Sequence, residues 1–390
     1  MAVWMVTYDK LDPQQRGFIE DYINGRNSRN SWLVGYAGSG KSLLLVHLLN
    51  KLLKENRNIK IGVVVFTRAL GDLFKTGFEE LGIYGVPIMN QFELRESIVQ
   101  YDYLFCDEIQ DMSAETLRMI KSRATHVVAA GDPNQSIYRK DLMTGTPTVR
   151  GDEPVDELDA DKKELNIIYR LTQSIIAAVK ALMPSMSRNW TAKEDLTKVD
   201  VQVELRKSIS IDTECSFVFK DARKCVSRGE RTAILFPRHD KILEFINNVL
   251  RQEGKSEWQM VTGNYGKPDY NNLNSYLRRM NIPLMYIGNN YGSLLQAQQE
   301  DKIIIMTYSS SKGLDFENVY MPFVSRDLYI TTDKELDRTT FMVAMTRSSH
   351  YLTMTYTGIP SDYVIVFKNG GHCHFTDEAN IQKRREIDIF

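Results

Sequence analysis

The chain has 390 residues, enough for two domains that each bury a core of their own. Hydrophobic residues make up 43% and charged residues 25%, a soluble globular composition, and no apolar run approaches the ~18 residues of a membrane helix. With 49 basic and 50 acidic residues the net charge is −1, so any nucleic-acid site has to be a local groove rather than a global positive field.

The opening MAVWMVTYDK carries no signal-peptide pattern. Four cysteines, Cys106, Cys215, Cys225 and Cys373, lack metal-site or disulfide-framework spacing, which suits a reducing compartment. A cytoplasmic location with no membrane partner is therefore expected. Leu11–Ile23 is predicted as a helix, with Asp12 as N-cap, Pro13 at the first helical position and Gln15 closing a capping box.

Ser31–Leu49, SWLVGYAGSGKSLLLVHLL, reads as strand, loop and helix. The run from Gly35 through Gly40, Lys41 and Ser42 fits G-x-x-x-x-G-K-[ST], with Gly38 and Ser39 inside the loop. In such a loop backbone N–H groups close around phosphates at a helix N-terminus, the lysine reaches the β- and γ-phosphates, and the hydroxyl meets Mg²⁺.

Lys60–Phe66, Tyr101–Asp107 and His126–Ala130 read as strands buried on both faces, separated by helical segments. This alternation predicts a doubly wound α/β domain with its active site at the C-terminal strand ends. Asp107 and Glu108 follow one such strand, where a first carboxylate holds Mg²⁺ and a second orients or deprotonates water. Gly131–Tyr138, GDPNQSIY, follows another and offers Gln135 to a γ-phosphate.

Lys140–Glu164, rich in Pro, Gly and acidic residues, reads as a loop or linker. Beyond it, apolar runs at 232–236, 302–307, 317–323, 350–356 and 363–367 are predicted strands, and 172–183, 239–250 and 334–346 helices. Residues 200–219 carry two shorter strand-like runs, and a polar tail is expected from Asn369.

In this order, GYAGSGKS, DEIQD, GDPNQSIY, Tyr169–Arg170, TYSSSKGLDF and VAMTRS resemble the motifs of superfamily 1 helicases of the UvrD/Rep/PcrA-like branch, over residues 11–356. The resemblance implies two RecA-like P-loop domains with mainly parallel sheets, residues 1–164 and 165–368 with 369–390 as tail, and ATP in the cleft between them. It gives Gln15 to adenine recognition and Tyr169 to adenine stacking. Lys41, Ser42, Asp107, Glu108 and Gln135 match its phosphate, metal, base and γ-phosphate-sensing positions, Arg170 and Arg347 its two phosphate-contacting arginines, and Asp315 stands in for a ribose-contacting glutamate.

For nucleic acid, the resemblance points to Phe66, Thr67 and Tyr138 in the first domain and to Arg238, Thr307 and Lys312 in the second. It implies an ATP-dependent, Mg²⁺-using helicase or translocase on single-stranded DNA, of 3′–5′ polarity. An RNA strand, a single/double-strand junction, and a nucleic-acid-sensing subunit that regulates a partner nuclease are the alternatives.

Three departures bear on that expectation. Lys140 replaces a strand-stacking tryptophan and Ser309 a histidine. Thr67 and Asp107 lie only 40 positions apart, and Arg238 and Thr307 only 69, where relatives carry large inserted subdomains. A stripped motor is expected, with duplex engagement left to a partner. The tail residues His372, Cys373, His374 and Asp377 are not read as a metal site, because no second ligand cluster accompanies them.

Overall fold

The computed structural model describes residues 5–25, 30–184, 193–194, 198–263, 268–288 and 291–381. The chain divides into two compact units, Met1–Arg170 with Thr191–Asp195, and Leu171–Trp190 with Leu196–Phe390.

The first unit is built on β1 (Asn30–Gly35), β2 (Ile61–Val64), β3 (Ile88–Met89), β4 (Tyr101–Cys106), β5 (Ala124–Gly131) and β6 (Ala160–Leu165), in spatial order β3-β2-β4-β5-β1-β6 with every pairing parallel. Alternate strand residues feed two cores. Leu33, Val63, Phe105 and Val128 pack with helices Pro13–Ile23, Lys41–Glu55 and Arg68–Leu81. Trp32, Val64, Leu104 and Val127 pack instead with Ala114–Ser122 and Glu153–Leu158. Such double coverage explains why these strands read as continuous apolar runs. A short pair, β7 (Ile167–Ile168) with β8 (Lys193–Glu194), completes the unit.

The second unit contains β9 (Val203–Ser208), β10 (Thr232–Phe236), β11 (Leu284–Tyr286), β12 (Ile303–Thr307), β13 (Phe316–Met321), β14 (Ser348–Thr357) and β15 (Cys373–Asp377), also all parallel, in the order β11-β12-β10-β13-β14-β9-β15. Helices Ile211–Ser227, His239–Gln252 and Tyr270–Arg279 share one core on this sheet. The fold is thus two parallel-sheet α/β domains of RecA-like kind.

Several local expectations are corrected. The stretch expected as a linker contains helix Glu153–Leu158 and β6, which pairs with β1 along its whole length. Its exposed Lys162 reaches Asp152 and Glu164, each at 2.9 Å, and this charge on an edge strand disguises it as a solvated run. The run 363–367 is helical (Asp362–Lys368), capped by Ser361, because only Val364 and Phe367 are buried. A five-residue apolar run does not by itself separate helix from strand. Of the two runs in 200–219, the first is β9 and the second lies in helix Ile211–Ser227. The tail from Asn369 supplies edge strand β15, where Thr376 Oγ1 donates to Glu204 at 2.6 Å and His374 Nδ1 lies 2.5 Å from the same carboxylate. Residues 382–390 lie outside the described residues.

Glu214 is fully buried in the second core, where one oxygen accepts from Phe323 N–H (2.8 Å) and Thr355 Oγ1 (2.7 Å) and the other has no partner. Burial pushes its pKa up to about 7 from 4.5. The folded state therefore holds a proton that the unfolded chain has lost between these values, and stability falls as pH rises through 7. Glu214→Gln is expected to raise stability at pH 8 by on the order of 2–3 kcal/mol and to flatten that slope, measured by urea denaturation at pH 5 and 8. An unchanged slope would remove Glu214 as its source.

Candidate ATP-hydrolysis site

At the end of β1 the chain turns through Gly38 and Gly40, whose φ values of +80° and +88° lie in the left-handed region that glycine alone adopts freely, and enters helix Lys41–Glu55. Crowding restricts both positions as well. A Cβ on Gly38 would stand 2.5 Å from Arg170 Cβ, and one on Gly40 would stand 2.8 Å from Gln15 Nε2. The loop is thus packed by residues from both ends of the unit's sequence.

Lys41 is buried, and its Nζ donates to the carbonyls of Gly35 (2.7 Å) and Tyr36 (3.2 Å). Burial pushes its pKa below the usual lysine value, opposed by the charges of Asp132, Glu108 and Asp107 and reinforced by Arg170. Four groups predicted from separate motifs or flanking them therefore lie within its field. Ser39 Oγ is buried with no protein partner, an orphaned hydroxyl inside the loop.

Ser42 Oγ donates to Asp107 Oδ2 at 2.5 Å. Burial, and then the charge of Glu108, push Asp107 up to about 6, while the Ser42 hydrogen bond and Lys41 pull it down. A buried carboxylate short of positive charge, with a hydroxyl on it, is a hard oxygen pair of the kind that Mg²⁺ takes. The donor set fits the ion.

Glu108 has φ +59°, an uncommon backbone for a residue with a side chain, seen where surrounding structure enforces it. Its N–H donates to Asp107 Oδ1 at 2.9 Å, and Gln110 Nε2 donates to its carboxylate. Gln110 Oε1 in turn accepts from Asp132 N–H (3.1 Å), and Asp132 Oδ2 accepts from Gln135 Nε2 (2.7 Å). Gln110 and Asp132 are thus the links between Glu108 and Gln135 that sequence reasoning missed. Their signal was position alone, two residues after Glu108 and three before Gln135.

Gln15 keeps its capping role, accepting from Asp12 N–H at 3.2 Å, and also donates through Nε2 to Ser39 O at 3.2 Å. Tyr169 OH donates to Asp12, and the N–H groups of Tyr169 and Arg170 donate to Gly38 O at 3.0 and 3.3 Å. Gln15, Gly35–Ser42, Asp107, Glu108, Gln135, Tyr169 and Arg170 are therefore assembled in one unit.

The remaining predicted residues are placed differently. Arg347 is buried in the second unit, where its guanidinium donates to Val343 O (2.9 Å), Leu314 O (3.2 Å) and Thr346 Oγ1 (3.1 Å). Asp315 pairs with Arg231 at 3.0 Å in the same unit. Phe66 and Tyr138 pack ring against ring, half-buried, with centroids 5.1 Å apart. Thr67 caps the helix after β2 through Leu70 N–H. Thr307 Oγ1 donates to Ser310, and Lys312 is buried rather than open to solvent. Arg238 forks Asp240 at the start of helix His239–Gln252.

Residues 20–141 match the AAA domain family, and residues 284–358 match the UvrD-like helicase C-terminal domain. The two matches fall in the two units, in the order of the motifs. The chain belongs to the UvrD-like superfamily 1 helicases. No curated protein matches it in sequence. Among solved structures, the helicase is similar to the DUF1998 helicase MrfA bound to DNA, with a TM-score of 0.50, 10% identity, 93% of this chain and 51% of that one covered. That likeness concerns the fold. The PRRSV helicase matches at TM-score 0.43 and 13% identity, covering 92% of this chain and 66% of that one. The C-terminal domain of a possible DNA helicase from Lactobacillus plantarum WCFS1 matches at TM-score 0.36 and 15% identity, covering 53% and 98%. The two family matches support a helicase-type ATPase. No helix among the described residues is long and apolar enough to cross a membrane.

Proposed function

We propose that this helicase is a 3′–5′ translocase on single-stranded DNA, in which ATP held by the first unit is hydrolysed when Arg347 of the second reaches the γ-phosphate. The observation that carries the catalytic part is the continuous hydrogen-bonded set from Ser42 and Asp107 through Glu108, Gln110 and Asp132 to Gln135, beside buried Lys41. Polarity and the choice of DNA rest on the motif resemblance.

In this reading the loop N–H groups, Ser39 and Lys41 hold the phosphates, and Gln15 and Tyr169 flank the adenine. Ser42 and Asp107 would hold Mg²⁺, which would supply positive charge to the phosphates. Glu108 orients the water and takes its proton, held by the Gln110 amide at a geometry its strained backbone fixes. Gln135 meets the γ-phosphate from the far end of the same set, so its occupancy is felt at Glu108. Arg170 and Arg347 neutralise charge on the transferring group. Asp315 meets the ribose by exchanging its bond to Arg231.

Between Thr67 and Asp107 the described elements are one helix, strand β3, a short helix and β4, and between Arg238 and Thr307 three helices, β11 and β12, all within their own units. Those lengths favour movement along a single strand over processive duplex separation, with a partner engaging the duplex. ATP hydrolysis measured with single-stranded DNA, single-stranded RNA, duplex DNA or no polynucleotide tests the function. Stimulation by single-stranded DNA is expected, with faster release of streptavidin from a 5′ end than from a 3′ end. Equal hydrolysis under all four conditions would overturn the motor.

A further inference from the structure

The two oxygens of the Asp12 carboxylate are engaged in different directions. Oδ1 accepts from Gln14 N–H (2.5 Å) and Gln15 N–H (3.1 Å), which is the helix cap, while Oδ2 accepts from the hydroxyl of Tyr169, 157 positions along the chain. A cap needs only one side-chain oxygen, and serine supplies it about as well as aspartate. The second oxygen therefore serves something other than the helix.

Asp12 also reaches Gln15 through its backbone. Its N–H donates to Gln15 Oε1 at 3.2 Å, and Gln15 Nε2 donates to Ser39 O at 3.2 Å. A donor at one end and an acceptor at the other settle which end of this buried amide is oxygen. An amide oxygen accepts twice and an amide nitrogen donates twice, so one acceptor and one donor position remain side by side. Adenine presents the complementary edge, an N6 amino donor beside the N7 acceptor, whereas guanine presents two acceptors there.

The main chain of Tyr169 is held independently of its ring. Gln14 clamps the approach from β6, its Nε2 donating to Glu164 O at 2.8 Å and its Oε1 accepting from Asn166 N–H at 3.1 Å. Beyond it, the N–H groups of Tyr169 and Arg170 end on Gly38 O. With the backbone pinned on both sides, the freedom left to the half-buried ring is side-chain rotation, which is broad at χ2 for an aromatic residue. The charge-assisted bond from its hydroxyl to Asp12 restricts that rotation.

We propose that Asp12 is a positioning residue for the nucleobase, aligning the Gln15 amide through its N–H and the Tyr169 ring through Oδ2, so that preference for ATP over GTP depends on it. The inference rests on the adenine reading of Gln15 and Tyr169 above.

The test uses the full chain, with fluorescent ATP and GTP analogues for affinity and steady-state hydrolysis for KM and kcat. Asp12→Ser keeps a capping oxygen and loses the one that holds Tyr169. Tyr169→Phe keeps the ring and loses the hydroxyl, and because it removes a single atom it answers the question even if Asp12→Ser folds poorly. Each is expected to weaken ATP binding about five- to twentyfold, the scale of one hydrogen bond to a charged group, with kcat at saturation within about twofold. GTP, which makes no matched pair with the amide, is expected to lose less, so the ATP-over-GTP ratio narrows. The double variant is expected to be no worse than either single one, since both remove the same bond. Asp12→Asn is expected to recover most of the affinity, its oxygen capping the helix and its amide donating to the Tyr169 oxygen. Wild-type affinity and nucleotide ratio in both Asp12→Ser and Tyr169→Phe would overturn the proposal, as would losses that add in the double variant. Unchanged ATP affinity in both Gln15→Ala and Tyr169→Ala would instead overturn the adenine reading on which it rests.

Discussion

Glu108→Gln is expected to lower kcat for ATP hydrolysis about 10³-fold while leaving ATP affinity nearly intact, since a positioned general base contributes about 10²–10⁴. The substitution keeps the side chain's shape and removes only its capacity to take a proton. The Gln110 amide and the Asp107 contact to the Glu108 N–H remain to hold the segment. Gln110→Ala is expected to be milder, near tenfold, because it loosens the base without removing it. Single-turnover hydrolysis and equilibrium ATP binding on each variant check this. A Glu108→Gln enzyme within fivefold of wild type would show that water is activated by another group.

Arg347→Ala is expected to reduce nucleic-acid-stimulated kcat about 10³-fold or more, the scale associated with an arginine that neutralises a transferring phosphoryl group. It carries a second effect of separate origin. The guanidinium donates to Val343 O, Leu314 O and Thr346 Oγ1, and although Thr346 Oγ1 goes on donating to Val343 O, the loss of these three buried bonds is expected to cost on the order of 1–3 kcal/mol of stability. Arg347→Lys separates the two, because it keeps a charge but not the planar fork. Denaturation midpoints and stimulated kcat measured on both variants give independent answers. Lost stability with kcat preserved would make Arg347 a structural group.

The two effects share one physical origin. An arginine buried against its own unit's carbonyls reaches a phosphate only by exchanging those bonds for stronger, charge-assisted ones. Asp315 is likewise held within its own unit, by Arg231. These two predicted residues have geometries governed by their own unit, whereas the residues from Gln15 to Arg170 already face one another. Asp107 adds a pH signature. With its carboxyl pushed up to about 6, a proton would compete with Mg²⁺ held there, so hydrolysis is expected to fall as pH drops through 6, read from the pH profile of kcat at fixed Mg²⁺.

By itself the sequence determined the chemistry that depends on short spacing. Gly35–Ser42 specifies a phosphate loop because strand, left-handed glycines, lysine and hydroxyl lie within one turn of chain, and the buried strands announced themselves through runs apolar on both faces. It also determined the capping box at Asp12 and Gln15. Tertiary structure decided what depends on partners far along the chain. The edge strand β6 carries solvent-facing charge and β15 leaves His374 and Phe375 exposed, and both resemble loops until β1 and β9 supply their hydrogen bonds. Gln110 and Asp132 become links only when the ends of β4 and β5 stand side by side. Arg238 meets the Tyr329 carbonyl, 91 positions on, only because β10 and β13 stand side by side. Local propensity fixes contacts within a few residues, while parallel pairing across long crossovers fixes the rest, and no periodicity in the chain records it.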